Sequence, residues 1–181
     1  VIDFYFGRIE RERNLVRHAL FVSFFPQISA GPIARAGKLL PQFREWRGGD
    51  NSDLADGIFL FTSGLFKKIA LADYIALYAN KIFGNPAQFG SSDLLLGALA
   101  FTWQIYFDFS GYTDMARGIA RCFGIELMEN FRLPYMAAST GEFWGRWHIS
   151  LSSWFRDYVY IPLGGNREGK IKEIRNIILT M

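Results

Sequence analysis

The chain of 181 residues is half hydrophobic and 17% aromatic, with 18 phenylalanines and 5 tryptophans, and its net charge is +3. Cys122 is the only cysteine, which excludes an internal disulfide and a cysteine metal cluster. The apolar content suffices for one core and the length for one domain. The share of rings suits a membrane interface, while the small positive charge does not choose between nucleic acid, anionic lipid and no charged partner at all.

No apolar stretch precedes the charged run Arg8–Arg17, so no signal peptide is read there, and the run itself is expected to be a solvated helix face. The chain has no initiating methionine, and Ile177–Met181 reads as the opening turns of an apolar helix; together these suggest an internal piece of a longer protein. His18 to Ala34 lacks any Asp, Glu, Lys or Arg, but Pro26, Gly31 and Pro32 interrupt it, which predicts a broken or re-entrant membrane segment rather than a straight span. Arg35 to Asp53 is polar and carries Pro41, Gly48 and Gly49, so a surface connection with at most a short helix is expected.

Gly57–Phe66 and Ile69–Phe83 flank Lys67 and Lys68 and predict one long helix with a charged step, ending near Gly84-Asn85-Pro86. Leu94 to Phe107 is uncharged but shorter than the about 20 residues a span requires, so its helix has to continue through Asp108 and Asp114. Hydropathy alone leaves a soluble all-α core and a membrane protein both open. An acid inside a membrane helix is costly and faces protein or a wet cavity, so the residues that spoil the hydropathy also mark a site.

Glu142 to Ile161 can be laid on one helix. Trp144, Trp147, His148, Leu151, Phe155 and Tyr158 then share a face, and Arg146, Ser150, Ser153 and Asp157 lie opposite. Pro162-Leu-Gly-Gly-Asn166 ends that helix, and Arg167–Lys172 is a basic stretch that favours the cytoplasmic side of a membrane.

His148, Ser152 and Asp157 have the composition of a hydrolase triad, but on a helix Asp157 would stand about 13 Å further along the axis, too far to orient the imidazole. A buried neutral His148 acting as a base on a hydroxyl fits better, beside the plainer reading of a core histidine with both nitrogens satisfied. Asp108 and Asp114 make a weak metal signal, because they are oxygen ligands with no second histidine near in sequence. Hydrogen bonds and ion pairs, with Arg146, Arg156 and Asp157 as available charges, are the expected means of holding them. Gly164-Gly-Asn-Arg167 lacks the lysine and the preceding strand of a phosphate loop and reads as a turn.

Six stretches together carry a resemblance: Phe24–Ile33, Gly64–Asp73, Tyr106–Met115, Glu129–Tyr135, Glu142–Ser152 and Trp154–Arg167. In this order they resemble the membrane-bound O-acyltransferases, in particular the alginate O-acetylation branch. The resemblance implies an all-α, polytopic protein of the bacterial inner membrane, with helices ringing a tunnel and residues 1–181 forming one partial domain. It implies an acyl group, acetyl by default, passing from a thioester donor such as acetyl-CoA or an acyl carrier to a hydroxyl of an extracytoplasmic polysaccharide or relay protein. No resident cofactor or metal is expected, and the partners are membrane lipid, the donor and an extracytoplasmic acetyltransferase or polysaccharide, not nucleic acid.

His148 matches the first of the family's two histidines, in Trp-His-Ile-Ser. The second, usually regarded as catalytic, belongs to a Gly-Leu-Trp-His-Gly motif expected beyond Met181, so His148 is assigned a supporting role and the fragment alone is expected to be inactive. Asp108, Ser110, Asp114, Trp144, Trp147, Ser152, Arg156, Asp157 and Asn166 are the expected substrate-binding residues. D-alanyl transfer to teichoic acid and a non-catalytic channel or scaffold subunit are the alternative readings.

Overall fold

A computed structural model describes residues 2–28, 30–167 and 169–180. Every regular element among them is helical, as expected. The chain forms two compact units, Val1–Leu127 and Met128–Met181.

In the first unit, the charged run is not one helix face. A four-residue helix, α1 (Ile2–Tyr5), is followed by non-helical chain, and α2 (Leu15–Ser23) begins only after Asn14, whose side chain accepts from Arg17 N. The polar run lacks the apolar periodicity that would bury a helix, and Asn14 supplies a start signal downstream of it. The expected break is present: Phe24 is extended, with α3 (Phe25–Ile28) beyond it, and the Gln27 amide donates back to Phe21 O at 2.5 Å. The polar connection holds a real helix, α4 (Ala36–Arg44), because Leu39 and Leu40 are buried. Leu39 packs with Phe24, Ala120, Ile125 and Leu127 in the core of this unit.

The long helix with a charged step is α5 (Asn51–Phe66), a π-helical segment (Lys67–Ala72) and α6 (Asp73–Gly84). Asp50 caps its start, accepting from Asp53 N at 2.8 Å while the Asp53 carboxylate accepts from Asp50 N at 3.2 Å. Against it lies α7 (Ser91–Cys122), whose 32 residues run unbroken through Asp108 and Asp114. Glycine decides how closely they approach. A Cβ on Gly64 would lie 2.5 Å from Gly111 O, and one on Gly111 would lie 2.7 Å from Gly64 O. Gly57 and Gly118 repeat the relation, each placing a Cβ 2.7 Å from the other's carbonyl oxygen. Such backbone contact excludes side chains and offsets the helix-propensity cost of glycine.

Ion pairs flank this contact. Lys67 meets Asp114 at 2.5 Å, Arg117 meets Asp114 at 3.2 Å, and Lys68 meets Asp108 at 2.6 Å and Asp73 at 2.8 Å. The acids are thus held by lysines of the facing helix and by Arg117, not by Arg146 or Arg156, which pair with Glu142 and Asp157. Partners on facing helices are set by packing, which local sequence spacing does not encode. Among the described residues, no helix is long and apolar enough to cross a membrane.

The second unit replaces the single helix expected over Glu142–Ile161 with α8 (Thr140–Arg146), α9 (Ile149–Phe155) and a π-helical segment (Arg156–Tyr160). The turn expected at Pro162–Asn166 is present, with Gly164 and Gly165 at φ 105° and 57°, and α10 (Lys170–Thr180) follows it.

Candidate functional site

The break between α8 and α9 falls on His148, which takes left-handed backbone angles, φ 43° and ψ 55°. A left-handed residue other than glycine persists only where its surroundings hold it, and such positions gather at functional sites. Here the hold is explicit. Ile149 N donates to Asn130 O at 2.9 Å, Ser150 N donates to the Asn130 side-chain oxygen at 3.1 Å, and Arg132 N donates to Arg146 O at 2.9 Å. The Asn130 side chain thereby satisfies an early N–H of α9 that a cap residue normally serves, leaving His148 free to turn the chain.

Rings fix the side chains around this turn. Phe131 lies nearly parallel to the His148 imidazole at 6.3 Å and edge-on to Trp147 at 5.0 Å, and Phe143 stacks on Trp147 at 5.6 Å. Ser139 caps α8 by accepting from Glu142 N, and the Glu142 carboxylate accepts from Ala138 N and from Arg146. Those bonds, that from Ala138 first, hold Glu142 below the usual carboxylate pKa.

The turn opens onto a cavity of about 440 Å³ in this unit, lined mainly by apolar atoms. Trp144, Trp147, His148, Leu151, Ser152 and Phe155 form one wall; Tyr160, Ile177 and Thr180, with Arg156, complete it. Burial among these groups disfavours the imidazolium and lowers the pKa of His148. Neutral imidazole carries one acceptor nitrogen and one donor N–H, a chemistry that the apolar atoms making up most of the cavity lining lack.

Of the expected face, Trp144, Trp147, His148, Leu151 and Phe155 converge on the cavity; Tyr158 does not line it. Ser152 and Arg156 line it as well. The Ser152 hydroxyl donates to Trp147 O at 3.0 Å, so its proton is committed away from the imidazole, and Asp157 pairs with Arg156 at 3.0 Å. This agrees with the exclusion of a triad. Asn166 is exposed in the turn and does not line the cavity. Asp108, Ser110 and Asp114 belong to the first unit, where the acids are ion-paired and Ser110 is buried with its hydroxyl unpaired.

Two asparagines were not anticipated. Besides Asn130, Asn176 is fully buried: it donates to Gly165 O at 2.9 Å and accepts from Arg175, which ties α10 to the glycine turn. Its place keeps Ile177 and Thr180 on the cavity wall. A lone amide among the isoleucines of α10 was the available signal, since a buried amide needs partners.

The family model for membrane-bound O-acyltransferases matches residues 10–181, through both units. Over its whole length the chain is 48% identical to the probable alginate O-acetylase AlgI of Pseudomonas syringae pv. tomato, covering 35% of that protein. It is 44% identical over 92% of its length to the peptidoglycan O-acetyltransferase of Helicobacter pylori, covering 32% of it. Against the teichoic acid D-alanyltransferase of Bacillus subtilis the identity is 36% over 86% of the chain, covering 40% of that protein. The chain spans about a third of the length of the curated relatives it matches.

Proposed function

The chain belongs to the membrane-bound O-acyltransferase family, and on that premise we propose that it forms part of a multi-pass membrane enzyme that moves an acetyl group from a thioester to a hydroxyl acceptor. The acceptor is an extracytoplasmic polysaccharide or a relay protein on the way to one. Acetyl is favoured because the relatives named for O-acetylation share 44% and 48% identity with the chain, against 36% for the D-alanyl relative.

The observation that carries the reading is His148, held in a strained turn at the wall of an apolar, ring-lined cavity and kept neutral by burial. In acyl transfer the thioester C–S bond breaks, an ester C–O bond forms, and the hydroxyl proton passes to the departing sulfur. A neutral imidazole assists in either of its forms: its bare nitrogen accepts the hydroxyl proton, or its N–H steadies charge on the carbonyl oxygen. His148 acts as the supporting histidine of this machinery, with Trp144, Trp147 and Phe155 excluding water around the reacting groups. We propose Asp108, Ser110, Asp114, Asp157 and Asn166 as further substrate-binding residues, and residues 1–181 as one partial domain of the enzyme.

The test is labelled acetyl transfer in membranes carrying the full-length protein. His148→Ala is expected to reduce the rate about a hundredfold, the scale of losing one donor to a developing oxyanion. A wild-type rate removes His148 from the site. Ser152→Ala is expected to stay within a few-fold of wild type, and a loss as deep as that of His148→Ala would restore serine as a nucleophile.

A further inference from the structure

The charged run near the start of the chain lines an open, polar cleft of about 740 Å³ in the first unit. Arg11, Arg13, Arg17 and Arg44 line it, with Glu10 and Glu12. Glu12 is spent internally. Its side chain is only 5% exposed and it accepts from Asn14 N at 2.9 Å, from Arg44 at 2.9 Å and pairs with Arg17 at 3.4 Å; these, that from Asn14 first, hold it below the usual carboxylate pKa. Arg11 and Arg13 are exposed and have no carboxylate partner among the described residues. Arg17 Nε is buried with no acceptor, a donor whose desolvation nothing on the chain offsets.

We propose that this cleft binds a phosphate group. Four guanidiniums face two carboxylates, and the excess of two positive charges matches a phosphate dianion or two phosphodiesters better than a single carboxylate. The planar fork of arginine pairs with phosphate oxygens through two parallel hydrogen bonds, and the exposed guanidiniums of Arg11 and Arg13 have such bonds to give. Two sources carry this chemistry: the headgroup of an anionic phospholipid, and the phosphates of a soluble molecule. The proposal rests on residues of the first unit alone and does not depend on the role of His148 in acyl transfer.

The experiment uses the full-length protein in neutral detergent, wild type beside Arg11→Gln/Arg13→Gln. These arginines have no internal partner, so the variant should keep the wild-type melting temperature and its far-ultraviolet spectrum. Inorganic pyrophosphate titrated calorimetrically is expected to bind the wild type at least about tenfold more tightly than the variant, with affinity falling as salt rises. If the source is lipid, pyrophosphate binds neither strongly, and bilayer nanodiscs show enrichment of phosphatidylglycerol over phosphatidylcholine around the wild type that the variant loses. Equal behaviour of the two proteins toward both probes overturns the proposal, as does a cleft that takes a polyuronate in preference to pyrophosphate. Should the double variant fail to fold, Arg13→Gln alone and the salt dependence of the wild type carry the same decision.

Discussion

His148 concentrates what a single residue contributes here. Its type and its ring-rich neighbours are readable in the sequence, but its left-handed backbone is not, because the bonds that hold it come from Asn130, a residue in another segment. The consequence is testable at Asn130 itself. Asn130→Ala removes the side-chain acceptor of Ser150 N and is expected to cost about 1 kcal/mol of stability, as for a lost helix cap, while Asn130→Asp keeps the acceptor and most of the stability. Denaturant melts of the three proteins check this; an Asn130→Ala variant as stable as the wild type would remove the bond to Ser150 N as the hold on the turn.

The lowered pKa of His148 has a definite sign. Burial opposes the charged ring, so the folded state takes up its proton at lower pH than the unfolded chain does near 6.5. Any stability this group contributes is complete above that value and is lost as pH falls toward the folded-state pKa. The acid limb of transfer activity that disappears in His148→Gln should therefore lie below pH 6.5, and a limb at or above it contradicts the burial argument. Asp108 and Asp114 teach the converse lesson. Their need for partners was legible from hydropathy, whereas Lys67 and Lys68 as those partners required the facing helix.

At the scale of elements, interruptions marked by proline or glycine were readable, and those without such a residue were not. The helix through Asp108 and Asp114 follows from an apolar run too short to span by itself, and the end near Gly84 from its glycine and proline. The π-helical segments at Lys67–Ala72 and Arg156–Tyr160 have no such sign, since one extra residue in a turn leaves composition unchanged. Glycines sort into two kinds by what surrounds them. Gly64→Ala and Gly118→Ala force a methyl against backbone oxygen and are expected to destabilise by about 1–3 kcal/mol each. Gly145, in α8, has nothing within 4 Å of a Cβ, so Gly145→Ala is expected to raise stability by about 0.5–1 kcal/mol. Thermal melts that rank these variants otherwise would refute the close-contact reading of α5 and α7.

For the molecule as a whole, the division after Leu127 left no mark in composition, because the apolar content and rings run through both units. What the sequence did convey is the quantity of apolar surface. Phe59, Phe66, Leu77, Leu95 and Leu99 are all exposed on α5, α6 and α7, large apolar side chains that lipid or a further part of the protein would cover. Full-length protein is accordingly expected to stay with the membrane pellet after carbonate extraction, and its release into the supernatant would end the membrane assignment.

The reciprocal glycines of α5 and α7 have a mechanical outcome. Gly57 answers Gly118 and Gly64 answers Gly111 in one antiparallel register, with no second setting nearby: a slide of one turn brings Met115 opposite Gly64 and Lys68 opposite Gly111. Shear between the two rods is thereby blocked in small steps, while prying them apart is not. Any rearrangement of this unit must therefore carry α5 and α7 in register or part them, and cannot slide one along the other by less than a turn.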